Sequence, residues 1–469
     1  SEYGLYGTFV AIANIINSFA NLGMQAYIYK FYPYYHDNLK VRDNDMLGWA
    51  LTTSLLGFLT VMLAGYIFED FVVRKFGAHS ADLITYYFWI FPLGFGLTIY
   101  SLLEVYAWQL KKSVLTTFFR ELLFRLFTTV LIVLVFAGVI YDFGLFIRLF
   151  ALTYIMLALI LLILLIRTGQ IHLTLRISRV TRKFSKKIIV LSSFMWSGSL
   201  IYYVANSFDL IVIAAVLPNG LAWAGIFTLA QNVASLIQAP QRGIIAASIG
   251  PLSRAWKDKD YGKIQRIYHR SSINQLLFAC GIFVLIWINF TDGVKTFHMQ
   301  SNYLQAQNVF LFLGLIRVID MGTGLNSQII GTSAFWRFEF ITGIIILAIS
   351  LPLNYILAKK MGVVGPAIAT LIAAFIYNTI RYFFLLRKFN MQPFNKQTIF
   401  TLLLALAGFY LSHLLFSEKH GIPGMMLRTV FFLVIYSAGA FLLKLSPDII
   451  PVWNTLKKKI PIPYLRSRK

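Results

Sequence analysis

The sequence contains a single cysteine, Cys280, which lies in an apolar run. One thiol excludes both an intramolecular disulfide and a cysteine-based metal site. His172, His269 and His298 fall in predicted loops, and no pair of histidines has the spacing of metal ligands. The chain also lacks a Gly-Lys-Ser/Thr phosphate-binding loop, which excludes an ATP-driven pump formed by this chain alone. We therefore expect neither a metal nor a cofactor.

Charged residues are scarce as well, at 13% of the 469 residues, and the acidic ones are the scarcer: 18 Asp and Glu against 42 Lys and Arg. Apolar residues make up 58%, and the mean hydropathy of +0.71 is far above that of a soluble domain. This composition predicts an all-α polytopic membrane protein. The net charge of +24 is confined to short segments between apolar runs, so anionic lipid or an anionic substrate is expected as partner, and no nucleic acid.

Apolar runs of about twenty residues predict membrane-spanning helices, because backbone polar groups in hydrocarbon must be satisfied internally. Such runs lie near residues 4–29, 46–68, 82–107, 115–140, 143–166, 188–217, 220–247, 271–290, 304–330, 337–358, 362–386, 397–416 and 424–445. Lys and Arg concentrate in alternate connections, for example at Lys30, Lys40 and Arg42. This bias predicts that these connections and the C-terminus lie in the cytoplasm.

The chain is similar to itself at a long offset. Without a gap, the two copies share Gly7 with Gly225, Phe9 with Phe227, Asn14 with Asn232 and Pro33 with Pro251. Such similarity predicts a fold duplicated inside one chain. A full apolar span, residues 188–216, precedes the second copy, whereas six residues precede Gly7. We therefore expect that the first transmembrane helix is missing from this sequence.

These patterns predict five segments. Residues 1–166 form an N-terminal transmembrane bundle that lacks its first helix, 167–187 a basic cytoplasmic linker and 188–386 a C-terminal transmembrane bundle. Residues 387–445 form two additional helices, and 446–469 a basic cytoplasmic tail. The linker's basic residues are expected at the membrane surface, either as topology signals that contact anionic lipid or as substrate contacts.

Charged residues also occur inside predicted spans, where they usually face a polar cavity or another charge because burial in lipid is costly. They are Arg120, Glu121, Arg125, Asp209, Arg242, Arg317 and Asp320, with Glu104, Arg337, Glu339 and Arg381 near cytoplasmic helix ends. Glu121–Arg125 and Arg317–Asp320 have the spacing of pairs on one helical face, so each is either a salt bridge or a substrate contact. Arg242 either snorkels or faces a cavity. Arg317 is nearest the middle of its span.

The excess of arginine over acid at these positions favours an anionic substrate. The planar guanidinium binds phosphate through paired hydrogen bonds and stays protonated. A cavity for organic cations would instead require carboxylates and aromatic rings. Asn14, Asn17, Asn21 and Gln25 recur at helical spacing. They either form interhelical hydrogen bonds or line a hydrophilic lumen.

Several of these features resemble one family of membrane proteins. The repeated block at residues 225–227, Pro240 and Pro251 before a charged loop, with Asp209 ahead of it, is similar to the Wzx-type polysaccharide-biosynthesis flippases. Asn354 and residues 361–369 resemble the second half of that family, which belongs to the multidrug/oligosaccharidyl-lipid/polysaccharide (MOP) exporter superfamily. The resemblance implies a MATE-like fold of two six-helix bundles around a central cavity that opens alternately to either side. The two spans after residue 396 would then be additions.

The resemblance implies a non-enzymatic flippase that moves undecaprenyl-pyrophosphate-linked oligosaccharide across the bacterial inner membrane for O-antigen (lipopolysaccharide), capsule or exopolysaccharide assembly. Membrane lipids, a polysaccharide polymerase and a chain-length regulator are the implied partners. The residues expected to hold the pyrophosphate-sugar head are Arg317, Arg242, Arg120 and Arg125. Those expected as coupling groups or structural ion pairs are Asp209, Asp320, Glu121 and Glu104. The drive is either the membrane potential or coupled protons or sodium.

Three alternatives stay open at this point. A lipid II flippase would share the anionic-substrate logic and would be essential for viability. A cation-coupled drug exporter would carry more buried acids than Asp209, Asp320 and Glu104. A membrane-embedded glycosyltransferase or glycan ligase would need catalytic carboxylates or histidine on a long periplasmic loop, and the predicted periplasmic loops are short.

Overall fold

The computed structural model describes residues 2–449 and residue 451. It does not describe nine side chains inside helices, namely those of Ser113, Thr117, Glu121, Tyr202, Arg242, Ala246, Gly250, Ser253 and Trp336. The predicted basic tail from residue 452 onward and the predicted roles of Glu121 and Arg242 therefore lie outside the described residues. In the described part every regular element is a helix. The chain forms two compact units, residues 1–225 with 358–362 and residues 226–357 with 363–469.

The first unit contains α1 to α11 and the start of α12. Their bounds are α1 Glu2–Ala20, α2 Met24–Asn38, α3 Met46–Ile67, α4 Glu69–Phe76, α5 Ala81–Thr85, α6 Ile90–Gln109, α7 Ser113–Phe118, α8 Phe124–Phe136, α9 Phe143–Ala151, α10 Thr153–Arg167, α11 Arg179–Val216 and α12 Gly220–Ser235. Helix α6 packs against α1, α2, α3 and α10. A Cβ at Gly96 would lie 2.3 Å from Ile155 N, so a residue without a side chain lets α6 and α10 approach closely.

Helix α11 begins inside the predicted linker, and its start is fixed by side-chain hydrogen bonds. Ser178 is its N-cap, with the hydroxyl accepting from Thr181 N at 3.1 Å. The fully buried carboxylate of Asp45, just before α3, accepts from Ser178 N at 2.9 Å and from Thr181 Oγ1 at 2.7 Å. These bonds tie the first turn of α11 to the start of α3.

The boundaries of the five segments predicted from the sequence stay a prediction.

The predicted span at residues 115–140 consists of several pieces. A π-helical turn, Phe119–Leu123, separates α7 from α8, and the apolar helix α8 has only 13 residues. π-turns inside α-helices occur frequently at functional sites, and this one contains Arg120. Elsewhere in the described residues, 11 helices are long and apolar enough to span a membrane, or 12 if the bent pair α1–α2 is counted as one span. These twelve coincide with the other predicted spans.

The second unit contains the rest of α12 and the remaining helices. Their bounds are α13 Ala239–Lys257, α14 Tyr261–Thr296, α15 Ala306–Gly322, α16 Asn326–Thr332, α17 Trp336–Met361, α18 Val364–Phe389, α19 Lys396–Phe416 and α20 Gly421–Leu442. Helix α14 packs against α13, α15, α19 and α20, and α15 packs against α18. The hydrophobic cores of the second unit include the buried side chains of Leu252, Tyr268, Leu276 and Phe432.

The predicted repeat has a counterpart in the helix bounds. The offset that aligns Gly7 with Gly225 also superimposes the helix pair α1–α2 on the pair α12–α13. The end of α2 then falls one residue from the end of α13. Both helix pairs are interrupted in the middle, by residues 21–23 in the first copy and by the short turn Leu236–Gln238 in the second. The duplication therefore includes a break in the helix.

The two added helices are attached to α14 by polar contacts. Near the start of α20, the buried Arg428 forms an ion pair with the buried Asp292 of α14. One turn of α14 away, Asn289 Nδ2 donates to Thr429 Oγ1 at 2.9 Å. Beyond the other end of α20, Arg270 donates to Asp448 and holds the pKa of that carboxyl below its usual range. Helix α20 is therefore fixed along most of α14.

We expect Arg428→Met to destabilise the second unit by about 3–5 kcal/mol, because it leaves the carboxylate of Asp292 buried without its strongest partner. The measurement is unfolding of the purified protein by titrated SDS. The control is Arg428→Met combined with Asp292→Asn, which removes the orphaned charge and is expected to recover most of the loss. Equal midpoints for the wild type and the single variant would contradict the prediction.

Candidate functional site

The bend between α1 and α2 lies at a cavity of the first unit with several polar lining residues. The helix breaks at residues 21–23, and the two halves meet at 50°. Gly23 has φ +75°, and a Cβ there would lie 2.1 Å from Ser192 O of α11. The residue must therefore be glycine, both for its backbone conformation and for the close approach of α11. Broken membrane helices of this kind form the binding sites of many transporters.

Side chains near the break satisfy most of the backbone groups that it frees. Asn21 Oδ1 accepts from Gln25 N at 3.1 Å. Asn21 O accepts from Met24 N at 3.0 Å and from the hydroxyl of Ser54 at 3.2 Å. The amide nitrogen Nδ2 of Asn21 is buried and has no hydrogen-bond partner among the described residues. A buried donor without a partner is uncommon and points to a site of interest.

The cavity at this break has a volume of about 520 Å³. It is lined by Asn17, Ser18, Asn21, Gly23, Gln25, Ala26, Tyr29, Lys30, Leu191, Met195, Ser199 and Tyr203. Amides, hydroxyls and one ammonium group face it, and none of these lining residues carries a carboxylate. Amide and hydroxyl groups hydrogen-bond sugar hydroxyls, and the exposed ammonium of Lys30 attracts an anion.

An ion pair lies within electrostatic range of the same cavity. Arg120 Nη1 in the π-turn lies 3.3 Å from Glu104 Oε2 of α6. The Glu104 side chain is 7% exposed and that of Arg120 is 57% exposed. Arg120 interacts electrostatically with Tyr203, and Glu104 with Tyr29, both of which line the cavity. The pair therefore adds an exposed guanidinium whose charge is partly balanced by a buried carboxylate.

The second unit contains a separate buried polar cluster on α15, α16 and α18. Asn378 donates to Asp320 Oδ1 at 2.7 Å and accepts from Thr323 Oγ1 and Asn326 Nδ2, both at 2.9 Å. Of the two alternatives for Arg317 and Asp320, the local salt bridge is not formed: Asn378 hydrogen-bonds the carboxylate, and Arg317 acts on it at longer range. The substrate contact stays a prediction. Arg317 Nε is buried and has no hydrogen-bond partner among the described residues.

Beside this cluster lies an ion pair, Arg381 with Glu339, whose two side chains have several further partners. Arg381 of α18 donates to Glu339 of α17, and its guanidinium lies 3.5 Å from the ring centroid of Tyr377. Glu339 also accepts from the hydroxyl of Ser327 at 2.7 Å. A pair with this many partners is structural. Arg317 differs from Arg381 in that its buried donor, Nε, lacks a hydrogen-bond partner among the described residues.

The remaining predicted site residues are distributed over both units. Arg125 is exposed and lies within electrostatic range of Tyr6 in the first unit. Asp209 is 5% exposed on α11, also in the first unit. Their roles, like those of Arg120, Arg317 and the two residues outside the described side chains, stay predictions.

Sequence reasoning missed five polar residues of the cavity, namely Ser18, Tyr29, Lys30, Ser199 and Tyr203. Lys30 was assigned to a basic connection, but it lies within α2, five residues after Gln25. The helical spacing that groups Asn17, Asn21 and Gln25 extends to Tyr29 and could have predicted its orientation. Nothing in the sequence indicates that α11 supplies the opposite wall.

Comparison with protein families gives a match over the part of the chain that contains this cavity. Residues 1–256 match the model of a family described as polysaccharide biosynthesis protein. No curated protein matches the chain in sequence.

Solved structures show what the fold is similar to. The lipid II flippase MurJ, in an inward closed conformation, matches with a TM-score of 0.69 and 15% identity, covering 94% of this chain and 92% of its own. An inward-facing multidrug resistance MATE family transporter of the MOP superfamily matches with a TM-score of 0.66 and 17% identity, covering 82% and 89%. At these identities the likeness shows the fold alone. It confirms the predicted MATE-like fold class.

Proposed function

The chain belongs to the polysaccharide biosynthesis protein family of the MOP superfamily, and from this premise we propose that it flips an undecaprenyl-pyrophosphate-linked oligosaccharide across the bacterial inner membrane by alternating access. The transported unit would serve the assembly of O-antigen, capsule or exopolysaccharide. The C-terminus would lie in the cytoplasm, and a polysaccharide polymerase and a chain-length regulator would act on the product. The coarser function, a multi-pass membrane flippase or exporter, follows from the family and the fold.

The observation that carries the proposal is the lining of the cavity in the first unit. Its polar groups are amides, hydroxyls and one ammonium, with no carboxylate among the lining residues. A site for organic cations would need negative charge as well as aromatic faces to offset the cation's desolvation, and the lining supplies the rings of Tyr29 and Tyr203 but no carboxylate. Sugar hydroxyls and phosphate oxygens, in contrast, match the groups that are present. The lining therefore favours a glycan with an anionic link over a cationic drug.

The position of the basic groups supports two kinds of contact, one for the sugars of the substrate head and one for its pyrophosphate. In the proposal, Asn17, Asn21 and Gln25 bind sugar hydroxyls. Lys30 and the exposed guanidinium of Arg120 bind the pyrophosphate. The membrane potential, negative inside, favours outward movement of an anion by about 2.3 kcal/mol per charge per 100 mV. A doubly charged head would gain roughly twice that if it crossed the full field.

A transport assay tests this proposal. The full-length protein is reconstituted in proteoliposomes with a fluorescent undecaprenyl-pyrophosphate oligosaccharide, and transfer to the opposite leaflet is measured with and without an imposed potential. Lys30→Gln removes one charge-assisted contact of about 1.5–3 kcal/mol, so we expect transfer to fall about tenfold or more. The control is Lys186→Gln, which neutralises an exposed lysine of α11 outside the cavity lining.

The outcomes separate the candidate functions. Transfer that needs Lys30 and accelerates with the potential supports an electrogenic glycan flippase. Preferential transfer of lipid II over the oligosaccharide would move the assignment to the activity named for MurJ. Failure of folded protein to exceed empty liposomes, with efflux of cationic dyes instead, would contradict the proposal and favour a drug exporter.

A further inference from the structure

The second unit has an open groove at the basic end of α18. Its volume is about 540 Å³, and it is lined by Phe338, Thr379, Ile380, Phe383, Phe384, Arg387 and Lys388. We name it the α17–α18 groove. Residues 380, 383, 384 and 387 recur every three or four positions, so they form one face of α18. The groove is therefore a continuous strip that runs from apolar to basic residues along one helix.

The wall of the groove is a packed aromatic surface. Phe338 of α17 and Phe384 of α18 stack with ring centroids 4.0 Å apart and an interplanar angle of 18°. Phe335 packs on Phe384 at 5.8 Å. Phe383 is 47% exposed. A rigid, partly exposed aromatic surface of this kind contacts hydrocarbon over a large area with little loss of side-chain entropy.

The basic end of the groove carries two cations. Arg387 and Lys388 are exposed and lie in the last turn of α18. The guanidinium of Arg387 lies 5.9 Å from the ring centroid of Phe383, and the ammonium of Lys388 lies 5.3 Å from that of Phe335. Within the described part of the chain neither forms an ion pair.

The nearest acid on the facing helix does not offset this charge. Glu339 of α17 is bonded to Arg381, Ser327 and Tyr377, so its charge is already balanced. The groove therefore presents net positive charge at one end. Attraction to the negative end of the helix dipole accounts for basic residues in a last turn, but it does not account for an aromatic groove beside them.

The distance between the two parts of the groove fits a membrane lipid. Phe383 and Arg387 are one helical turn apart, about 5.4 Å, which is close to the separation of a lipid's phosphate from the start of its chains. Because Arg387 and Lys388 end an apolar helix of 26 residues, they lie at the depth of the head groups. Their connection belongs to the basic set, which the positive-inside rule places in the cytoplasm.

We propose that the α17–α18 groove binds one anionic glycerophospholipid of the cytoplasmic leaflet. Its phosphate contacts Arg387 and Lys388, and an acyl chain lies along Phe338, Ile380 and Phe383. Basic pockets on the cytoplasmic side of membrane helices are suited to such head groups. The groove does not suit the glycan-bearing substrate, because Thr379 is its one neutral polar side chain and sugar hydroxyls would find few partners. The site is thus separate from the cavity of the proposed function.

Native mass spectrometry of the full chain in a neutral detergent tests the site, with dioleoyl phosphatidylglycerol and dioleoyl phosphatidylcholine as probes. We expect one phosphatidylglycerol to bind at least about tenfold more tightly than phosphatidylcholine, as charge-assisted contacts predict. Arg387→Gln with Lys388→Gln should remove this preference. Lys257→Gln with Lys259→Gln, two exposed lysines outside the groove, should keep it.

A second variant separates the groove from the charges. Ile380→Trp keeps both cations but fills the groove, so it should also lose the tightly bound lipid. Equal binding of the two lipids, or unchanged binding in either groove variant, would overturn the proposal. Displacement of phosphatidylglycerol by a lower concentration of undecaprenyl phosphate would overturn it as well, since the groove would then belong to the polyprenyl substrate. None of these results depends on the Lys30 transport assay, so the two proposals fail separately.

Discussion

Arg317→Gln is expected to abolish transfer of the lipid-linked oligosaccharide while leaving the protein folded. Arg317 lies within α15, and its buried Nε has no hydrogen-bond partner among the described residues. The neighbouring Asp320 takes its hydrogen bond from Asn378. A guanidinium whose buried donor has no hydrogen-bond partner among the described residues is costly in a membrane. We propose that it binds the substrate's phosphate at a step of transport other than the one served by Lys30 and Arg120, so its removal should affect transport more than stability.

Two further variants make this prediction specific. Arg317→Lys keeps the charge but loses the planar donor pair, so we expect partial transfer. Arg381→Gln breaks the satisfied pair with Glu339 and should lower stability by about 3–5 kcal/mol. Arg317→Gln removes only a longer-range charge from Asp320, which keeps its hydrogen bond from Asn378, so it should lower the SDS unfolding midpoint less. The assay is transfer in proteoliposomes at matched amounts of folded protein. Full transfer by Arg317→Gln would remove this residue from the mechanism.

Gly23→Ala is expected to lose most of the folded protein and most of the transport. The backbone at Gly23 has φ +75°, which costs alanine about 1 kcal/mol or more. The added Cβ would also lie 2.1 Å from Ser192 O, a main-chain atom of α11 that cannot move aside as a side chain does. Helix α11 would have to shift, and with it the wall of the cavity formed by Ser199 and Tyr203.

The matched control for this variant is Gly169→Ala. Gly169 has a similar φ of +68°, but nothing lies within 4 Å of the position that a Cβ would take. Both variants therefore carry the backbone strain, and only Gly23→Ala carries the clash. The monodisperse yield and SDS unfolding midpoint of both proteins measure the difference. If the two variants lose the same stability and keep the same transport, the close approach of α11 to the break has no functional importance.

The polar residues of α1 show how far sequence reasoning reaches. The spacing of Asn17, Asn21 and Gln25 places them on one side of the chain, and the structure finds all three on the lining of one cavity. Asn14 instead donates to Val10 O within its own helix. The sequence left hydrogen bonding and a polar lumen as alternatives. The structure shows both at Asn17, which lines the cavity and also accepts a hydrogen bond from Ser101 of α6 at 3.2 Å.

Partners of buried charges were harder to predict. No acidic residue lies three or four positions from Arg120 in the sequence. Its partner Glu104 lies 16 residues away on another helix. Arg317 and Asp320 have the spacing of a local pair on α15, yet Asn378 of a second helix, α18, supplies the carboxylate's hydrogen bond. Spacing within a helix states which contacts are allowed. It does not state whether a neighbouring helix offers a better one.

By itself, the sequence determined the all-helical membrane fold, nearly all of the spans, the internal repeat and the polar face of the first helix. These properties follow from local patterns, because a bilayer forces each apolar run to satisfy its own backbone as a helix. Only the tertiary structure decided that the first span is broken, that α11 closes the cavity, that Lys30 lines it and that Asn378 bonds Asp320. The reason is physical: these features arise from contacts between residues far apart in the chain, which depend on how helices pack rather than on the order of residues within one helix.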